Sequence, residues 1–182
     1  MSLDQLLNPN TPPRRYVITG GPSSGKEAVF GLLHDMEIPS TEGEPAREIY
    51  RKHRDRLGRH LQVGDRQEYS RDVLHSFVAE FCDHKVGLRF YNRGIPDGYG
   101  WDAFFGLRPY PELEEATRIY RYDAVFVLDG LDDFDSEDDL VWAKEREIRR
   151  VHELIVQGYY DAAYKPIFVP ADEPRRRIDF RG

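Results

Sequence analysis

The sequence predicts an α/β fold in which a mainly parallel sheet is covered by helices on both faces. Three observations predict it. Short apolar runs rich in Val, Ile, Phe and Tyr alternate along the chain with longer segments of helical periodicity. One run, Ala124-Val125-Phe126-Val127-Leu128, is apolar throughout, as a central strand buried on both faces must be. The first apolar run stops at a glycine-rich turn that leads straight into a helical pattern.

In order, residues 1–13 carry Asn8-Pro9-Asn10 and Pro12-Pro13 and read as a flexible N-terminal arm, with residues 14–182 forming one domain. Tyr16-Val17-Ile18-Thr19 is a strand ending at Gly20-Gly21-Pro22. From Gly25, Ala28, Val29, Leu32, Leu33 and Met36 recur at helical spacing. Residues 37–46 are a loop or weak strand, interrupted by Pro39, Gly43 and Pro45, and a charged helix follows over about 46–58. Gln67 to Phe81 is a stronger helix, its stripe of Tyr69, Val73, Phe77 and Phe81 widened by Leu74 and Val78. Leu88 to Tyr91 is a strand that runs into a turn-rich junction at 92–98. Pro111 opens a helix at its first position. After the 124–128 strand and an acidic loop, a long helix spans about 137–161, then a strand at 166–169 and a terminal helix at 173–180.

Composition narrows the function classes. The 182 residues carry 33 acidic and 26 basic side chains, a net charge of −7, which argues against a dedicated nucleic-acid binder. A single cysteine, Cys82, cannot form an intramolecular disulfide and suits a reducing compartment. No basic region followed by an apolar run marks a secretory leader, and no apolar stretch is long enough to span a membrane, so the expectation is a cytoplasmic protein. The six histidines show no metal-ligand spacing with cysteine and read as surface or packing residues.

The strongest chemical signal is Gly20-Gly21-Pro22-Ser23-Ser24-Gly25-Lys26, which matches G-x-x-x-x-G-K, the Walker A pattern of a P-loop. An apolar strand enters it and an amphipathic helix leaves it. The glycines let successive backbone N–H groups point inward, and the helix N-terminus adds partial positive charge. Lys26 is placed to reach the β- and γ-phosphates of a bound nucleotide. The next position departs from the pattern. It usually holds a Ser or Thr whose hydroxyl binds Mg²⁺, whereas this chain has Glu27. A carboxylate there either repels the phosphates or, with a hard cation between, becomes a metal ligand itself.

Four blocks resemble the AAA_28 group of P-loop proteins, also described as NadR/Ttd14-like, within the kinase-like branch. They are Ile18 to Lys26; Glu44-Pro45-Ala46-Arg47-Glu48-Ile49, similar to E-x-A-R-E; Phe90-Tyr91-Asn92-Arg93-Gly94-Ile95-Pro96-Asp97-Gly98, similar to F-x-D-R-G-x-x-D-G; and the tail from Tyr164 through Val169-Pro170 to Arg177-Ile178-Asp179-Phe180. The resemblance implies a three-layer P-loop NTPase fold with a mainly parallel five-stranded sheet in kinase-like order. It also implies binding of ATP or GTP, and Glu44 with Arg47 facing the substrate side of the cleft. In this group the Asp of D-R-G lies near the metal; here it is Asn92, which keeps a carbonyl oxygen but loses the charge. With Glu27, that leaves two readings: a Mg²⁺ site rebuilt around Glu27 and Asn92, or one that has been lost.

P-loop kinases often bring arginines over the phosphates from a lid after the fourth strand. In this chain seven of the eleven residues 129–139 are acidic, a sign that repels a triphosphate. Arg146, further along, either reaches the phosphates or is a solvated helix residue, and the acids at 137–139 suit a helix N-terminus. Arg93 either contacts phosphate or pairs with Asp97 or another carboxylate. Asp97 reads as a turn or helix-cap residue. Trp101, Phe104 and Phe105 line an acceptor or base pocket or pack in the core. The leading expectation is an NTP-binding protein that hydrolyses ATP or GTP or transfers its phosphoryl group to a small-molecule acceptor. The competing one is a non-catalytic nucleotide- or anion-binding interaction module. Neither points to a particular protein partner.

Overall fold

The computed structural model describes Asn8 and residues 10–130 and 145–179. Its elements run β1 (Arg14–Thr19), α1 (Lys26–Asp35), α2 (Pro45–Leu57), α3 (Arg66–Asp83), β2 (Leu88–Asn92), α4 (Asp97–Phe104), α5 (Pro111–Ile119), β3 (Ala124–Leu128), α6 (Glu145–Asp161), β4 (Ile167–Val169) and α7 (Pro174–Ile178). A single 3₁₀ turn, Val63–Asp65, precedes α3.

The strands lie side by side in the order β2-β1-β3-β4, every pair parallel. This is the expected α/β architecture with one correction. Among the described residues the sheet has four strands, not five. The segment before α2 reaches the outer edge of β2 but makes only one parallel bridge there, Ser40 to Phe90. Phe90 N donates to the Pro39 carbonyl at 2.9 Å and Thr41 N to the Phe90 carbonyl at 2.8 Å. Proline at 39 has no N–H to donate, and Gly43 and Pro45 turn the chain away, so the edge pairing cannot lengthen into a strand.

Strand periodicity divides the core. Val17, Tyr91, Val125 and Val127 face one side, where Leu74 and Phe77 of α3, Leu113 and Ala116 of α5, and Val151, Ile155 and Tyr159 of α6 close over them. Ile18, Leu128 and Val169 face the other, under Val29, Phe30 and Leu33 of α1 with Ile178 of α7. Alternating residues of one strand thus serve two helical layers, which is what makes β3, Ala124 to Leu128, apolar throughout.

The junction at 92–98 does not stay a turn. It winds into α4, whose glycines conceal it from propensity reasoning. They are there for packing: a Cβ on Gly100 would lie 2.6 Å from the Ile155 backbone, so α4 and α6 approach each other more closely than side chains permit. The long helix is described from Glu145 onward and the terminal helix ends at Ile178. The acidic stretch from 131, and Phe180 of the tail, lie outside the described residues. Of the N-terminal arm, Thr11 is tied to the start of β2, its carbonyl accepting from Gly87 N at 3.0 Å.

Candidate active site

The loop after β1 is built as a phosphate cradle. Gly20 adopts φ 145°, and a Cβ there would stand 2.6 Å from the Leu128 carbonyl. Only glycine fits, which is why β1 can end beside β3 and release the chain into a tight curl. Ser23 (φ 56°) and Gly25 (φ 74°) complete the reversal, and α1 starts at Lys26 with its N-terminal amides facing the loop. The backbone is braced from behind by Arg177 of α7. Its guanidinium donates to the carbonyls of Ser24 at 2.5 Å and Asp129 at 2.8 Å, and its Nε to that of Pro170 at 3.0 Å. From the front, His152 of α6 accepts the Gly21 amide on Nδ1 at 3.2 Å. Burial lowers the His152 pKa, which favours the neutral imidazole this bond requires.

Lys26 is buried and folded back on the loop. Its Nζ donates to the carbonyls of Gly20 (3.1 Å) and Gly21 (2.9 Å) and to Ser24 Oγ (3.0 Å). Burial, helped by the Arg93 charge, lowers its pKa to about 7. The nearby carboxylates Glu44, Asp97 and Glu27 offset only part of this, and an anion in the cradle would add counter-charge and oppose the shift.

Beside the loop lies a buried ionic network. Arg93 follows β2 in a left-handed conformation, φ 71°, a rare state for a bulky residue and one found at functional sites. That bend turns its side chain inward. Nε donates to Glu44 Oε1 at 2.7 Å, and Nη1 to Asp97 Oδ1 at 3.1 Å and to the Gly20 carbonyl at 3.0 Å. Both partnerships open to Arg93 in the sequence are therefore made with carboxylates, and the loop contact is to backbone. Burial works to raise the Glu44 pKa, but the charges of Arg93 and Lys26 overcome it and hold the group down at about 2. Glu44 is accordingly a fixed anion, suited to orienting a hydroxyl rather than to taking its proton at neutral pH.

Asp97 is more than a turn residue. It is the first residue of α4 rather than its cap, and its Oδ2 takes the Gly94 amide at 2.9 Å in the turn that leads into the helix. The same carboxylate also accepts from Thr19 Oγ1 and Tyr159 OH, each at 2.6 Å, as well as from Arg93. At 1 % exposure it joins β1, β2, α4 and α6 at the end of the sheet. Sequence reasoning missed this hub and the roles of His152 and Arg177. The Asp of the P-D-G triplet was the one local signal available for Asp97.

The residues read as a metal shell stand differently. Glu27, in the first turn of α1, is 72 % exposed and pairs with Arg47 Nη1 at 3.1 Å. Asn92 is buried at the end of β2; its Nδ2 donates to the Gly43 carbonyl at 2.9 Å, while Oδ1 is buried and has no partner among the described residues. Arg146 is exposed near the start of α6. Pro22 and Ser23 are part-exposed at the loop's crest.

A cavity opens on the other side of Arg93 and Asp97, about 500 Å³ including the open solvent at its mouth. Tyr69, Phe77, Trp101, Phe105 and Tyr110 supply aromatic walls, and Arg66 and Asp102 the charges. Trp101 and Phe105 stack at 6.1 Å, and Arg93 lies 5.5 Å from the Trp101 ring. Leu74 and Phe77 of the α3 stripe are core residues and also part of this wall.

This geometry is that of a kinase-like P-loop protein. The chain belongs to the AAA_28 family, described as an AAA domain, whose model matches residues 15–177. No curated protein matches it in sequence. Among solved structures it is similar to deoxyadenosine kinase from M. mycoides, a structure with dCMP and dCDP bound (11 % identity, TM-score 0.64, covering 91 % of this chain and 95 % of that one). It is also similar to a NadR protein in complex with NR (16 % identity, TM-score 0.61, 88 % of this chain). The chain spans 46 % of that NadR chain. Shikimate kinase from Acinetobacter baumannii, in complex with shikimate, shares 18 % identity at a TM-score of 0.51, covering 92 % and 89 %. At these identities the likeness is one of fold.

Proposed function

We propose that this protein is a small-molecule kinase: it binds ATP or GTP on the loop from Gly20 to Lys26 and transfers the terminal phosphoryl group to an acceptor held in the aromatic cavity. One observation carries the reading. Arg93 touches the phosphate loop through Gly20, the acidic pair Glu44 and Asp97, and the cavity wall at Trp101, so a single buried guanidinium joins the two sites. Phosphoryl transfer needs little covalent help from the protein; it needs positioning and charge stabilisation. Lys26 and the loop amides hold the phosphates. Glu44 orients the acceptor hydroxyl, Arg93 fixes Glu44, and Arg47 stands at the edge of the same cleft.

Such chemistry employs Mg²⁺, which neutralises the phosphate oxygens. Two side chains suit a hard cation by donor type alone: Asn92 Oδ1 is a buried carbonyl oxygen with no partner among the described residues, and Glu27 is a carboxylate, while no cluster of three or more His, Cys, Asp or Glu side chains among the described residues forms a metal cage. Asn92 and, once released from Arg47, Glu27 would hold it. Arg146 is a further candidate for the phosphates.

The competing reading, a non-catalytic binding module, is favoured by one observation: Glu27 is engaged by Arg47 instead of facing a metal. Incubating the protein with ATP or GTP, Mg²⁺ and a panel of ribosides separates the two. The kinase reading expects acceptor-dependent nucleotide consumption and a phosphorylated product by mass spectrometry. Binding of nucleotide without turnover for any acceptor favours the module.

A further inference from the structure

Asp102 is the acidic group of the cavity wall that the site above leaves unused. It is 2 % exposed, and its Oδ2 is buried with no hydrogen-bond partner among the described residues. The Ser70 hydroxyl supports the carboxylate, but no cation offsets its burial, which raises its pKa to about 6. Of the cationic side chains in the same wall, Arg93 is held by Glu44 and Asp97, and Arg66 lies flat on the Phe105 ring at 3.9 Å. Asp102 also sits in the last turn of α4, where the helix dipole disfavours negative charge. Two effects therefore oppose a carboxylate at this position, and an unpaired buried acceptor is costly.

We propose that Asp102 is the specificity-determining residue of the cavity, accepting a hydrogen bond from an amino or amide N–H carried on a planar ring of the acceptor molecule. The proposal rests on the reading of the cavity as the acceptor site. The ring follows from the walls: Trp101 and Phe105 stack at an interplanar angle of 21° on the side of α4, with Tyr69, Phe77 and Tyr110 facing the same space. Flat walls of this kind take a flat ligand by stacking. The N–H follows from the charge state. An ionised carboxylate only accepts hydrogen bonds, so a ring presenting N–H satisfies Oδ2, while a ring presenting a carbonyl sets two acceptors against each other. A buried polar group of this kind rejects the ligand that leaves it unpaired more strongly than it rewards the one that pairs it.

The test is calorimetric titration of the full chain at pH 7.5 with two riboside series that differ at one position. One is cytidine, 2-pyrimidinone riboside and uridine; the other is adenosine, purine riboside and inosine. The expected result is that at least one amino-bearing ring binds about tenfold or more tighter than its hydrogen- and carbonyl-bearing counterparts, a difference typical of one hydrogen bond to a charged group. Asp102→Asn, which adds a donor at the same volume, should reduce that ratio below about threefold, and wild-type protein at pH 5, where Asp102 is protonated, should show the same loss. The pH arm decides the matter even where the variant does not fold. Binding without discrimination, or discrimination unchanged at pH 5 and in a folded Asp102→Asn protein, overturns the role of Asp102 and leaves the cavity reading standing. No binding of any of the six overturns both.

Discussion

The Glu27 carboxylate lies 3.1 Å from the Arg47 guanidinium, at the mouth of the phosphate cradle. Where a hydroxyl is usual in P-loop proteins, this chain has an acid, and the structure gives that acid a cationic neighbour from α2. The pair is solvent-facing, so its own contribution to stability is small. Its consequence is electrostatic: the negative charge that would oppose a triphosphate is offset.

Removing the acid tests this. Glu27→Ala should tighten nucleotide binding in the absence of Mg²⁺ by about three- to tenfold, as expected for one screened charge near the phosphates. If Glu27 holds Mg²⁺ as proposed, the gain should shrink or reverse when Mg²⁺ is present. Titration with and without chelator measures both.

The depressed Lys26 pKa predicts proton uptake on nucleotide binding. With a value near 7 in the free protein, Lys26 is mostly neutral at pH 8. Bound phosphate restores a normal ammonium pKa, so about 0.9 proton should be taken up at pH 8 and only about 0.1 at pH 6. Calorimetry in buffers of different ionisation enthalpy reads the number, and Lys26→Met should abolish it.

Asp97 should matter for stability more than its surroundings in sequence suggest. Replacing it by Ala removes four hydrogen bonds and leaves the buried Arg93 with Glu44 as the one carboxylate the structure pairs with it, a change expected to cost about 3–5 kcal/mol. Tyr159→Phe removes one of the four and should cost about 1–2 kcal/mol. Urea unfolding would order the two.

His152 ties the loop to pH. Its pKa is lower folded than unfolded, so the unfolded chain binds the proton first. The stabilisation is whole above about pH 6.5 and is lost as pH falls through the folded value. The melting temperature should therefore fall on acidification more in the wild type than in His152→Gln. Equal slopes would show that the imidazole does not carry this dependence.

The legible parts of the fold were local. Val17 and Ile18 announce a strand buried on both faces, and Gly20 announces the turn, because each acts within a few residues of itself. The site was legible to the extent that chemistry lay in one motif: the loop and Lys26. What was hidden depends on distance along the chain. Arg93 meets Glu44 across 49 residues and Tyr159 meets Asp97 across 62. Nothing in the helical pattern around His152 signals that it accepts an amide 131 residues away. Helix α4 was concealed by Gly98 and Gly100, which weaken a helix in isolation and are required only because α6 packs against it. The fifth strand failed for the converse reason, since Pro39 blocks a pairing that the parallel edge of β2 otherwise offers.

The measurement that bears most directly on the central claim is titration of the wild-type protein and its Lys26→Ala variant with ATP and GTP, in Mg²⁺ and in chelator. A working phosphate cradle predicts saturable binding of at least one nucleotide by the wild type and loss of about tenfold or more in the variant, as for a charge-assisted contact to phosphate. Failure of both nucleotides to bind, or binding indifferent to Lys26, would contradict it.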